Sequence, residues 1–401
     1  MLNIKSKYRQ QKVFFGIVVV IALLSQFPDA NKSIMTPITY IVWGLAAVFV
    51  IYREKSFVLT NYMKLFVITY SCFFIMQMLV VLSGRNTAIS TFVKLVPMSA
   101  MIYYIFFYIG CKDEELIWCV LHVYRVMIFI LAIYIIITRV NGNVTTWMNS
   151  EVYLMTGSSH KNTLGQLLGC GFLEFWINYR CENRKKLIIK LAGMILLIVP
   201  LLYVQSRSAL IALGICLIYA ILVGDKLQNK IIKLGLMALM VCAILNLEFV
   251  LDILKQAFLI NKYSNTSGIN IATFSSGRTQ YWKDAFDVFQ KYFCFGRGDY
   301  YVDNFYLAVL AQSGIFGGLC LFGLITNRMY LNFRTFYGKQ QNRKNDYMLE
   351  KNVVIVSVFY IIMSIFECFP PFGPGVASML FWMLSGAVDG KKYRTRKLRN
   401  V

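Results

Sequence analysis

Apolar residues in this chain arrive in blocks of about twenty, separated by short polar stretches, and a block of that length crosses a bilayer as a helix. The pattern predicts spans over 13–28, 34–52, 63–83, 89–110, 116–138, 163–179, 186–204, 208–224, 231–251, 303–326, 351–368 and 371–388. The longest polar interval, 252–302, falls between the ninth and tenth predicted spans and reads as a large, part-helical outer loop. No Gly/Ser linker, internal repeat or low-complexity stretch divides the chain. The expected fold is therefore all-α: a polytopic integral membrane protein of about twelve transmembrane helices, with 1–401 as a single membrane domain.

Composition agrees, with 58% hydrophobic residues, 15% charged residues and a mean hydropathy of +0.59. The formal charge of +22 changes meaning once the basic residues are placed along the pattern. Most Lys and Arg gather in alternate loops and at both ends, from Lys5, Lys7, Arg9 and Lys12 to the run Lys391–Arg399. The positive-inside rule then sets both termini in the cytoplasm and accounts for the charge without nucleic acid. The first span follows a basic stretch, yet Gln26-Phe27-Pro28-Asp29 offers no small-x-small cleavage site, so it is expected to remain as an anchor. The ten cysteines show no CxxC or Cys/His spacing, and neither a disulfide framework nor a zinc site is indicated.

This topology sends the unusual polar segments to one side: Thr156–Thr163, Gln205-Ser206-Arg207-Ser208, the 252–302 loop and Glu367–Gly375. Arg207 sits in a very short connection between two apolar spans, where a charge requires either an anionic partner or a snorkelling route to water. In the long loop, Ser275 or Ser276 is a candidate cap for a helix bearing Trp282, Ala285, Phe286 and Phe289 on one stripe, lying along the membrane surface. Arg278 stands near the start of that helix, where the dipole already favours anions such as phosphate. Arg297 lies between Gly296 and Gly298, glycines that would let a ligand approach the backbone. His160 can exchange a proton or hydrogen-bond a sugar or phosphate, although an isolated loop histidine is more often simply solvated. Asp303 reads either as a helix cap or as a base, and Glu367 carries the same ambiguity beside the helix-ending Pro370-Pro371. His122 and Arg125, inside a span, read as packing or pore-lining groups.

Taken in order, these segments resemble the Wzy polymerase and O-antigen ligase superfamily over about 160–320. The resemblance runs through Ser159-His160-Lys161-Asn162-Thr163-Leu164-Gly165, Ser206-Arg207-Ser208-Ala209, Gly277-Arg278 with Trp282 and Gly296-Arg297-Gly298. It ends with Asp303-Asn304-Phe305-Tyr306-Leu307 and Gly314-Ile315-Phe316-Gly317. Ligases of this superfamily usually carry His before the Asn of the last motif, and Asp303 in that place leans toward a polymerase.

The resemblance implies a glycosyltransferase that joins oligosaccharide repeat units linked to undecaprenyl diphosphate into O-antigen or capsular polysaccharide at the outer face of the membrane. Arg207, Arg278 and Arg297 would take the diphosphate, Asn304 would help bind substrate, and His160 or Asp303 would orient or deprotonate the acceptor. No DxD-type cluster is present, so neither a metal nor a cofactor is expected. Partners would be the lipid-linked oligosaccharide, the bilayer and other polysaccharide-assembly proteins. A ligase of the same superfamily and a lipid-linked oligosaccharide flippase or transporter are the alternatives, the latter drawing on Lys94 and Arg125 as charges within spans.

Overall fold

A run of apolar residues in a membrane has no amphipathic code to obey, so which face meets protein and which meets lipid is read from burial. The computed structural model describes residues 2–27, 30, 32–54, 60–84, 89–140, 161–179, 182–204, 206–224, 278–341, 348–368, 370–373 and 376–399. Its helices are α1 (Leu2–Leu24), α2 (Lys32–Glu54), α3 (Asn61–Leu82), α4 (Ile89–Lys112), α5 (Glu114–Val140) and α6 (Lys161–Asn178). They continue with α7 (Arg184–Tyr203), α8 (Arg207–Gly224), α9 (Arg278–Lys291), α10 (Phe305–Gln341), α11 (Met348–Phe366) and α12 (Met379–Arg399). No strand occurs among the described residues. Six stretches within these helices are long and apolar enough to cross a membrane: Ser33–Arg53, Asn61–Leu82, Glu114–Thr138, Arg184–Tyr203, Phe305–Gly338 and Met348–Phe366. The fold is thus a polytopic helical membrane protein, and the described residues hold six such stretches against an expected total of about twelve. The predicted span 231–251 and the part of the long loop before Arg278 lie outside them.

Helix α3 shows how the bundle is built. Thr60 caps it by accepting from the Met63 amide, and Tyr62, Met63, Phe66, Tyr70, Phe73, Gln77 and Val80 recur at helical spacing on its buried face. Leu65, Ile68, Ile75, Leu79 and Leu82 cover the opposite face and remain exposed, as side chains that face lipid do. Helix α11 is instead buried on nearly every side and packs against α6, α8, α10 and α12, which makes it central. The closest pairing is α4 with α12. A Cβ on Gly110, Gly386 or Gly390 would come within 2.4 Å of backbone carbonyl oxygens across that seam, so small residues there let two backbones meet.

Two buried polar clusters lie away from the candidate site. Arg328, 1% exposed, lies 4.9 Å over the Tyr62 ring and donates to Asn332 Oδ1 at 3.0 Å, with Asp389 at 3.6 Å. Asn332 passes the network on to Ser385 Oγ at 3.1 Å, tying α10 to α12. Arg125 makes a bidentate pair with Glu174, at 2.9 and 2.7 Å, and Asn178 donates to the same carboxylate at 3.0 Å. Arg125 therefore joins α5 to α6 as a packing group, while His122 lies on the exposed side of α5. The Lys94 side chain falls outside the described set.

Two predicted boundaries need correction. The twelfth span does not begin at 371: α12 starts at Met379, and residues 370–373 instead tuck into the bundle. Trp382 Nε1 donates to Pro371 O at 2.7 Å, and Ser99 donates to Phe372 O. Adjacent prolines cannot continue a helix, and their neighbouring carbonyls take side-chain donors in its place. The tenth span is also not a continuous helix. At Gly314 the backbone takes φ 63°, ψ −168°, and α10 divides there.

Candidate functional site

The division of α10 accounts for the glycine motifs. In an unbroken helix the amides of Ile315 and Phe316 would bond the carbonyls of Ala311 and Gln312. Here those amides donate to Phe293 O at 2.8 Å and Cys294 O at 3.4 Å, while Ala311 O and Gln312 O accept from the amides of Arg297 at 2.8 Å and Gly298 at 3.0 Å. Four backbone groups freed by the kink are satisfied by the turn that follows α9. The exchange demands contact between two backbones. A Cβ on Gly296 would lie 2.3 Å from Gln312 O, and one on Gly314 would lie 2.4 Å from Cys294 O. The glycines flanking Arg297 therefore have a structural duty in this contact. Arg297 itself is exposed, with its guanidinium 5.6 Å over the Tyr300 ring.

This interlock fixes α9 against the start of α10 and sets Arg278 beside Asp303. The α9 stripe turns Ala285 and Phe289 inward and leaves Phe286 exposed, while Trp282 Nε1 reaches across to Asp303 O at 3.2 Å. The candidate caps Ser275 and Ser276 lie outside the described residues. Asn304, rather than Asp303, caps α10: its Oδ1 accepts from the Leu307 amide at 3.0 Å. That spends one oxygen of Asn304 on the backbone and leaves the Asp303 carboxylate for the site.

The centre of the site is one guanidinium between two carboxylates. Arg278 Nη2 stands 3.6 Å from Asp303 Oδ2 and 3.7 Å from Glu367 Oε1, too far to hydrogen-bond either and close enough for ion pairing. All three side chains are partly shielded, at 23%, 31% and 14% exposure for Arg278, Asp303 and Glu367. Asp303 Oδ1 also accepts from the Tyr301 hydroxyl at 2.5 Å, and burial next to this carboxylate pushes the Tyr301 phenol above its usual range. Glu367 lies one residue beyond the end of α11 and hydrogen-bonds Asn162. Asn162 in turn accepts from Ser206 Oγ at 3.3 Å, and Ser206 lies 3.4 Å from Ser208 Oγ. Gly165 is where the two segments meet, since a Cβ there would stand 2.4 Å from the Ser206 side chain.

Burial pushes the Glu367 carboxyl up to about 8, and the negative charge of Asp303 acts in the same direction. Arg278, Lys161 and the Asn162 hydrogen bond oppose the rise. At neutral pH the cluster therefore holds a proton mostly on Glu367, with ionisation of that group within reach. A carboxyl poised near the working pH can move protons, and a part-exposed guanidinium beside it can hold an anion.

The starts of α6, α8, α9 and α10 and the end of α11 thus meet at one end of the bundle. Residues 192–322 match the family model described as O-antigen ligase. No curated protein matches the chain. The O-antigen ligase match supports the O-antigen ligase/polymerase superfamily, whose members are membrane glycosyltransferase-like enzymes, and it fits a polymerase and a ligase equally. It spans Arg207, Arg278, Arg297, Asp303, Asn304 and the glycine interlock, and it leaves Lys161, Asn162 and Glu367 outside.

Of the residues expected from sequence, Arg278 and Asp303 come together directly. Arg207 opens α8 directly after Ser206 and so adjoins the Asn162 end of the network. Arg297 makes no described contact with the cluster, and His160 lies outside the described residues. The site's unassigned members are Glu367, Tyr301, Lys161 and Asn162. Lys161 and Asn162 sit within a polar segment already singled out, but nothing local in the sequence places Glu367 next to Arg278.

Proposed function

We propose that the chain is a membrane glycosyltransferase that polymerises undecaprenyl-diphosphate-linked oligosaccharide repeat units into O-antigen or capsular polysaccharide. The observation that carries this reading is Arg278, held by Asp303 and Glu367 from two other segments and still short of a hydrogen bond to either. A diphosphate is already a good leaving group, so the protein's work is to neutralise its charge and position the attacking hydroxyl. Arg278, with Arg207 at the start of α8, takes the diphosphate, Asp303 holds Arg278 in place, and His160 orients the acceptor. Both termini lie in the cytoplasm, which sets this end of the bundle at the outer face of the inner membrane. Asp303 standing where ligases usually carry His favours polymerase over ligase.

The test is to incubate purified protein in detergent with its lipid-linked repeat unit in the presence of EDTA and resolve the product on a gel. A ladder of lengthening chains is expected. A single addition to a lipid A acceptor would indicate the ligase, and movement of substrate across reconstituted vesicles without any new bond would indicate a flippase.

Arg125 gives a second discriminator. A flippase would need this charge in a central path, whereas here it is matched by Glu174 and Asn178. Exchanging a buried ion pair for apolar residues of similar volume is often neutral. The double replacement Arg125→Met with Glu174→Met is therefore expected to keep chain growth within roughly threefold of wild type. Loss of all product from a protein that still folds would count against the assignment of Arg125 to packing.

A further inference from the structure

Glycosyl transfer to a hydroxyl releases a proton, and the group that receives it must be ionisable, near the reacting centre and not already committed. Asp303 is the more exposed of the two carboxylates, and its Oδ1 is taken by the Tyr301 hydroxyl at 2.5 Å. Glu367 differs. Its Oε1 is buried and has no hydrogen-bond partner among the described residues, and the Arg278 guanidinium stands 3.7 Å from it. An unsatisfied carboxylate oxygen in a shielded position is costly unless something occupies it during function.

We propose that Glu367 is the catalytic base, its Oε1 taking the proton of the acceptor sugar hydroxyl as that hydroxyl attacks the donor. The inference rests on the glycosyl-transfer reading above and deepens it. The acceptor oxygen forms the new bond to the anomeric carbon, and the bond from that carbon to the diphosphate oxygen breaks. Its electron pair leaves with the lipid diphosphate, and the hydroxyl proton moves to Glu367 and then to solvent. Arg278 couples the two halves of the step. When the donor's diphosphate draws the guanidinium toward itself, the cation that covers Oε1 moves away, and the base is uncovered only once a donor is bound.

The groups facing Glu367 are Arg278 from α9, Asp303 with Tyr301 from the segment before α10, Lys161 and Asn162 from α6, and Cys368 beside it in the chain. A base must be ionised to act, and Glu367 is pushed up to about 8. Transfer should therefore rise roughly tenfold per pH unit below that value and level off above it.

The experiment uses full-length protein in lipid nanodiscs, with turnover of the lipid-linked repeat unit followed from pH 6 to 9.5 and binding of undecaprenyl diphosphate measured in parallel. Wild type is expected to show the rise and plateau. Glu367→Gln is expected to bind undecaprenyl diphosphate normally and to lose about 10²-fold or more in turnover, with a flat residual profile. Glu367→Asp, which keeps a carboxylate, is expected to recover part of the rate together with its pH dependence. A Gln variant that works within threefold of wild type, or that keeps the wild-type profile, overturns Glu367 as the base and leaves glycosyl transfer standing. Wild type that binds undecaprenyl diphosphate yet forms no bond at any pH overturns the transfer reading and the base together.

Discussion

Replacing Arg278 by alanine is expected to lower polymer formation by about 10²- to 10³-fold, the scale seen when one preorganised donor to a developing negative charge is removed. The bundle should still fold, because Arg278 makes no hydrogen bond to its two partners and its 3.6 and 3.7 Å contacts are ion pairs at a partly shielded surface. Turnover per folded protein, normalised by size-exclusion yield, is the measurement. Arg278→Lys should recover only part of the rate, since a point charge on a flexible stem cannot face two carboxylates and a diphosphate as a planar guanidinium can. The variant carries a second signature. Arg278 holds the Glu367 carboxyl down against burial and Asp303, so its removal moves the rising limb of the pH profile above about 8. Lys283, exposed on the same helix, is the control for net charge, and Lys283→Ala should stay within about twofold. Full activity of Arg278→Ala would end the diphosphate assignment.

That the site assembles around Arg278 was only partly legible in the sequence. Apolar blocks mark helices because a bilayer leaves the backbone no other way to satisfy its hydrogen bonds, and α2–α8 fall where those blocks predict, while α1 begins at Leu2, well ahead of its block. Arg278 and Asp303 were legible as polar residues at helix starts. Glu367 was visible as an ambiguous acid next to prolines, and its partnership with Arg278 depends on how α11 packs against α6 and α10, which no local pattern encodes. The same holds for Arg125, whose partner Glu174 lies on another helix in an apolar stretch. The shift in the start of α12 has a different cause. The block 371–388 reads as one span, but Pro371 and Phe372 give their carbonyls to Trp382 and Ser99 and enter the bundle as a turn.

The glycines around Arg297 and at position 314 share a structural duty, and it yields the largest expected effect on the fold. Gly314→Ala places a Cβ on a residue at φ 63°, ψ −168°, a region only glycine occupies without strain, at a cost of about 1–3 kcal/mol. The same Cβ would lie 2.4 Å from Cys294 O, inside the pairing that satisfies the four freed backbone groups. Relief requires α9 and its turn to separate from α10, and each buried amide or carbonyl thereby orphaned costs about 1–3 kcal/mol more. The combined loss should lower the thermal midpoint of the detergent-purified protein by at least several degrees and reduce folded yield. Activity of what remains folded should fall further, because the first part of α10 carries Asp303 at its head and the kink sets its angle to Arg278. Gly323→Ala, in the same helix, is the matched comparison: its Cβ meets nothing within 4 Å, so it should match or slightly exceed wild type in stability. If the two alanine variants melt together, the backbone exchange is not what holds α9 to α10, and the placement of Arg278 beside Asp303 would need another cause.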